Sequence, residues 1–255
     1  MTPPSAFKGW WRFFRTEGMM YQGQQEYDIG LEWGLPGVRR LDGQAALCVI
    51  VDVLSFSTCV DIGCGCGAAL LPFRPDDEGA AAFAAERKAQ LAGKRSRNKL
   101  SLSPVSMRAL SAGSRLVLPS PNGAALSLEC AAGEVVAGCL RNAAAVAAYA
   151  GSQGAPVRLI AAGERAPDGE LRFAFEDFIG AGAIIHRLTG SKSPEAQAAE
   201  AAFLLARHDL LSHLRQCTSS LELIERGFAD DIELAAQLDV STCVPRLQAG
   251  EYRAL

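Results

Sequence analysis

No stretch of this sequence approaches the ~20 apolar residues of a membrane span, so no membrane partner is expected. An excess of positive charge is missing as well: the 255 residues carry a formal net charge of −3. That balance argues against nucleic acid, which is normally met by a basic face. It leaves a small anionic ligand open, because a pocket can be locally basic inside an acidic protein. Histidine is scarce, and His186, His208 and His213 lack the paired spacing of zinc proteases. Also absent are a Gly-x-Ser-x-Gly elbow, a Walker loop and a full dinucleotide fingerprint. There is no internal repeat and no low-complexity linker. Residues 10–14 are mostly aromatic, but Arg12 interrupts them and Arg15 follows, so they make no secretory core. A cytoplasmic location is the expectation.

What is present is a chain 49% apolar, large enough to bury roughly three quarters of its unfolded surface without staples. The eight cysteines sit largely among apolar or small residues, as Cys48 does between Leu47 and Val49. They read as buried free thiols. Cys64 and Cys66 are the one tight pair, with too few residues between them for the usual zinc or redox spacing. Residues 1–25 are expected to form an N-terminal arm, and residues 26–255 a single α/β domain. A homodimer would be unsurprising, since closed twofold assemblies are the commonest.

Short apolar runs at 45–51, 68–73, 115–118, 134–139 and 157–161 read as buried strands. Alanine-rich stretches at 78–92, 124–131 and 142–150 read as helices between them. Such alternation predicts a largely parallel sheet covered on both faces. Helices are expected at 176–188, 193–207, 219–226 and 230–238, as a helical tail packed on the sheet. Residues 92–97 form the most basic stretch and read as a loop.

Several segments fall where chemistry collects in such a sheet. Asp52 closes the first predicted strand, and ligands gather at the carboxyl ends of parallel strands. Ser57 and Thr58 follow it at the opening of a helix, where hydroxyls and N–H groups suit an anion; capping alone would use the same residues. Ser120, Asn122 and Gly123 form a sharp strand-to-helix turn able to present N–H groups to a phosphate. Arg165, in Gly163-Glu164-Arg165, could clamp an oxyanion through paired hydrogen bonds. Asp168-Gly169 fits a hairpin or loop turn. Glu176 and Asp177 lead into Gly180-Ala181-Gly182-Ala183; they suit a helix dipole or magnesium, which needs only one or two carboxylates beside a phosphate. The small residues after them would let that helix lie close to a neighbour. Asp230 and Asp231 offer the same choice between cap and metal shell.

Taken in order, these segments resemble the 2-phosphosulfolactate phosphatase family. The resemblance runs from about Val49 to Pro245. It is carried by Val51-Asp52-Val53-Leu54-Ser55-Phe56-Ser57-Thr58, Leu91-Ala92-Gly93-Lys94-Arg95, Leu102-Ser103-Pro104 and Ser120-Pro121-Asn122-Gly123. It continues through Asn142-Ala143, Ala162-Gly163, Phe175-Glu176-Asp177, Gly227-Phe228-Ala229-Asp230-Asp231-Ile232 and Val244-Pro245. It implies a three-layer α/β/α fold with a mixed sheet. It also implies Mg²⁺-dependent hydrolysis of 2-phospho-3-sulfolactate to 3-sulfolactate, a step toward coenzyme M. The expected metal set is drawn from Asp52, Glu176, Asp177 and Asp231. Arg95 or Arg165 would neutralise phosphate, and Asp52 is ligand or nucleophile. Two positions depart from the family's common pattern: Ser55 stands where arginine is usual, and Lys94 where glutamate is usual. They point to an alternative, a non-catalytic or altered-specificity anion-binding homologue.

Overall fold

The computed structural model describes residues 24–41, 45–75, 78–96, 99–154, 156–166 and 168–255. All but the last two residues of the expected N-terminal arm, and Arg97 of the basic loop, lie outside them. The strands are β1 (Ile29–Trp33), β2 (Leu47–Val51), β3 (Ala69–Phe73), β4 (Gln90–Leu91), β5 (Arg115–Pro119), β6 (Glu134–Gly138) and β7 (Val157–Ala161), then β8 (Glu164–Arg165), β9 (Leu171–Arg172), β10 (Pro245–Gln248) and β11 (Glu251–Ala254). Between the strands run α1 (Gly34–Arg40), α2 (Phe56–Gly65), α3 (Ala80–Glu86), α4 (Pro104–Met107), α5 (Gly123–Glu129) and α6 (Ala143–Ser152). After β9 come α7 (Phe175–Ile185), α8 (Pro194–Ala206), α9 (Leu210–Arg215), α10 (Thr218–Glu225) and α11 (Ala229–Ala235).

A nine-stranded sheet in the order β1-β7-β2-β6-β10-β11-β3-β5-β4 holds the molecule together. The four strands β1, β7, β2 and β6 are mutually parallel, as are β3, β5 and β4. The hairpin β10–β11 joins the two blocks through antiparallel pairings, Arg246 with Val136 and Tyr252 with Leu70. Counting directions across the hairpin, the two blocks run oppositely. Even so, Asp52 just after β2 and Gly123 in the turn after β5 are hydrogen-bonded to each other.

Period-two alternation distributes the core. Leu47, Val49 and Val51 of β2 pack with α6, α7 and α8 on one face, while Cys48 and Ile50 pack with α1 and α5 on the other. In the second block, Leu70, Leu116 and Leu118 meet α2 and α4, and Leu71 and Val117 meet α3. This is the expected three-layer α/β/α arrangement with a mixed, largely parallel sheet. The small residues of α7 do let it approach α8: a Cβ on Gly182 would stand 2.0 Å from the Ala199 carbonyl oxygen.

Two expectations need correction. The helix expected over 78–92 ends at Glu86; Lys88 turns the chain with φ +50° and Gln90–Leu91 joins the sheet. Helix propensity persists through that stretch, but pairing with β5 overrides it. The tail is not purely helical either, because its last segment enters the middle of the sheet. Its turn, Ala249-Gly250, has φ of +51° and +81° and lacks the asparagine or aspartate that usually marks a two-residue hairpin.

Candidate active site

Asp52 follows β2 directly, and its carboxylate is held at both oxygens. Oδ1 accepts the N–H of Phe56 at 3.0 Å, and Oδ2 accepts the N–H of Gly123 at 2.9 Å. The first N–H opens α2 and the second opens α5, so two helix starts converge on one carboxylate. Burial pushes Asp52 up to about 6, and the charges of Glu164 and Glu176 act in the same direction; the two N–H bonds oppose them.

A pocket of about 250 Å³ opens above this carboxylate. That volume suits a small ester rather than a drug-sized ligand. Asp52, Leu54 and Ser55 line it after β2, and Ser120, Pro121 and Asn122 after β5. Glu164 reaches it from β8, and Arg95 and Leu102 from the long loop before α4. The remaining wall is α10 with Arg226, just beyond its end. Asn122 Nδ2 donates to Glu164 Oε1 at 2.8 Å. Consecutive residues of one turn therefore tie Glu164 and Asp52 into the same corner.

Arg95 enters the pocket on a built support. Its Nη1 pairs with Asp231 Oδ2, and its Nη2 donates to Ser55 Oγ at 3.1 Å. Asp231 is buried and also accepts from Ser103 Oγ at 2.6 Å and the Val105 N–H at 3.2 Å. The Arg95 guanidinium stacks 5.6 Å from the Phe228 ring centroid. Ser55, where the family pattern has arginine, thus receives the arginine of another segment. Lys94 is exposed and does not line the pocket.

Of the anticipated residues, Asp52, Arg95, Ser120 and Asn122 meet in the pocket. Gly123 spends its N–H on Asp52 rather than on the pocket. Ser57 and Thr58 are fully buried beneath it, donating to the Ile50 and Val53 carbonyls at 2.9 and 2.7 Å. Their hydroxyls fix the loop after β2. Arg165 is exposed, whereas Glu164 lines the pocket, because neighbours on a strand face opposite sides. Asp177 accepts the N–H groups of Val53 at 2.7 Å and Gly163 at 2.9 Å, pinning the loops after β2 and β7 together. Burial raises it well above the usual carboxylate range, with Asp52 and Glu176 adding to the effect. Glu176 is buried beside Cys217, whose thiol is pushed up to about 12 by burial and by that carboxylate. Of the four carboxylates from which a metal set was expected, Asp52 alone lines the pocket; Asp231 pairs with Arg95, and Glu176 and Asp177 do not line it. Among the described residues, no group of three or more His, Cys, Asp or Glu is gathered as a metal site.

Glu164, Arg226 and the α10 wall were missed by sequence reasoning. Gly163-Glu164-Arg165 stands out in the sequence for the guanidinium of Arg165, whereas the structure brings the carboxylate of Glu164 to the pocket. Three carboxylates (Asp52, Glu164, Glu222) face two guanidiniums (Arg95, Arg226) across the pocket. That excess of negative charge is poorly matched to a phosphate ester bearing further acids, and a divalent cation would reverse it. Asp52 and Glu164, held in one corner, fit Mg²⁺, which keeps several waters and asks for one or two carboxylates.

Comparison with known proteins adds an independent finding. The family described as 2-phosphosulpholactate phosphatase matches residues 38–250. The 2-phosphosulfolactate phosphatase of Methanothermobacter thermautotrophicus is 30% identical over 216 residues, covering 83% of this chain and 91% of that one. A probable 2-phosphosulfolactate phosphatase of Carboxydothermus hydrogenoformans is 33% identical over 216 residues, covering 79% and 87%. One from Thermotoga maritima is 28% identical, covering 80% and 90%.

Proposed function

Since the chain belongs to the 2-phosphosulfolactate phosphatase family, we propose that it is a Mg²⁺-dependent phosphoric monoester hydrolase whose substrate is 2-phospho-3-sulfolactate or a close 2-phospho-hydroxy acid. The observation that carries this reading is the Asp52 corner. A buried carboxylate sits at a strand end, gripped by two helix-opening N–H groups, beside a second carboxylate and a supported arginine.

Asp52 and Glu164 would hold the cation. When bound, Mg²⁺ supplies charge neutralisation on the phosphoryl oxygens. The chain's own groups do the positioning that phosphoryl transfer chiefly needs. The Arg95 guanidinium faces the equatorial oxygens and is kept in place by Asp231 on one side and Phe228 on the other. The Asn122 amide and the Ser55 and Ser120 hydroxyls stand ready to orient the ester. Asp52 could serve as cation ligand or as nucleophile, and the N–H bonds at its two oxygens weigh on both roles alike. Trapping with a phosphate-mimicking metal fluoride separates the roles: an adduct bonded to Asp52 would make it the nucleophile.

The test is phosphate release from phosphosulfolactate, phospholactate and an aryl phosphate, with Mg²⁺ and with chelator, for the unaltered chain and Asp52→Asn. Metal-dependent turnover lost in the variant is expected. No turnover on any substrate by folded protein with metal would sink the phosphatase reading and leave a non-catalytic anion-binding protein.

A further inference from the structure

Helix α10 meets the pocket with a single face. Ser219, Glu222 and Leu223 on it, and Arg226 just past its end, follow the i, i+3, i+4, i+7 spacing of one helical stripe. In a helix that merely packed, this stripe would be apolar, yet three of the four residues are polar. Ser219 is only 6% exposed, and its Oγ has no hydrogen-bond partner among the described residues. Buried hydroxyls are nearly always satisfied, so an unmet one lining a pocket marks a place for a ligand atom. Ser220 is also buried and unmet, but it does not line the pocket.

Arg226 adds the charge. It is exposed, and its side chain has no ion-pair or hydrogen-bond partner among the described residues; its guanidinium lies 6.0 Å from the Phe228 ring centroid. Arg95 stacks on the same ring at 5.6 Å. One aromatic ring thus holds two guanidiniums at one corner; Arg95 is already paired with Asp231, and Arg226 is the one left to meet an anion. Glu222, the acid on this stripe, is more than half exposed and lies 3.9 Å from the Arg172 guanidinium, so its charge is partly met from outside the pocket.

We propose that this face is the subsite for the substrate's second oxyanion, a carboxylate or sulfonate. The Ser219 hydroxyl donates a hydrogen bond to it, and the Arg226 guanidinium grips it through paired N–H groups. The phosphoryl group then lies toward Asp52, Glu164 and Asn122. The substrate class is a small phosphate monoester carrying an acid beyond the ester carbon, and in this the inference rests on the phosphatase reading above. Ser219 and Arg226 set specificity, selecting diacids over plain phosphate esters.

The experiment compares Ser219→Ala and Arg226→Gln with the unaltered chain on phosphosulfolactate, phospholactate and an aryl phosphate. Leu221→Ser, on the exposed side of α10, controls for damage to the helix. The expected result is a fall of at least about tenfold in the ratio of kcat/KM for the acid-bearing esters to that for the aryl phosphate, carried mainly by KM. A fall for both acid-bearing esters assigns the carboxylate; a fall for phosphosulfolactate alone assigns the sulfonate. Equal losses on all substrates, or the same change in Leu221→Ser, would overturn the subsite. Calorimetric binding of 3-sulfolactate to the same proteins reads the subsite without catalysis. If the chain hydrolyses nothing but binds 3-sulfolactate through Arg226, the phosphatase reading fails and the subsite stands; no weakening in Arg226→Gln overturns it.

Discussion

The backbone N–H of Gly123 donates to Asp52 Oδ2 across 2.9 Å, and a Cβ on Gly123 would stand 2.8 Å from that same oxygen and 2.3 Å from the Phe56 ring. The absence of a side chain at residue 123 is therefore what lets the turn after β5 hold the carboxylate after β2. Gly123→Ala is expected to displace Asp52, cutting kcat by about 10²-fold, the scale of a 1 Å misplacement. Overpacking against Phe56 should cost about 1–3 kcal/mol as well. Steady-state kinetics and urea denaturation of the variant test both; full activity would show that Asp52 does not depend on this contact.

Asp52 should also leave a mark on stability. Its carboxyl is held near 6 in the folded chain, against 3.8 as a free side chain. The native state keeps this proton longer than the unfolded state does, so stability falls as pH rises from about 4 to about 6 and is flat beyond. The full penalty is on the order of 3 kcal/mol. Asp52→Asn should flatten that decline, seen by urea denaturation at pH 4.5 and 7 with chelator present. Asp177 moves in the same direction, so a smaller slope should remain.

Removing one member of the Arg95–Asp231 pair should be costly, because both side chains are largely buried. Arg95→Met or Asp231→Leu alone strands a charge and should cost about 3–5 kcal/mol. The double variant should be less destabilised than the sum of the two, since no charge is left unmatched. A double-mutant cycle by chemical denaturation measures this. Additive losses would mean that the pair contributes little. Turnover should be lost in every variant lacking Arg95.

Magnesium should stabilise the protein more at pH 7.5 than at pH 5, because Asp52 gives up its proton as the cation binds. Glu164→Gln should weaken this thermal shift at least about tenfold in midpoint concentration, and Glu222→Gln should not. A shift that survives Glu164→Gln would place the cation elsewhere.

The central strands, and the carboxylate that lies beneath the pocket, were largely legible in the sequence. Runs such as Leu47–Val51 are apolar at every position, which only a strand covered on both faces tolerates. Asp52 at the end of such a run is a strong pointer, and the structure places it beneath the pocket. The β10–β11 hairpin was not legible, because Arg246, Glu251 and Arg253 read as surface. Their charges are met by Glu134, Arg115 and one another. Nor could spacing say that Glu164 rather than Arg165 faces inward; a strand two residues long offers no alternation to read. The polar stripe of α10 matched an ordinary solvated helix until the sheet placed it over a pocket.

The hairpin's position also bears on how the protein is made. Strands β10 and β11 are the last of the sheet to leave the ribosome, yet they occupy its middle. Both parallel blocks are synthesised with an edge still waiting for a partner. Such edges invite pairing with other chains. The interval between translating Phe73 and translating Tyr252 is therefore when a chaperone would be most useful to this chain.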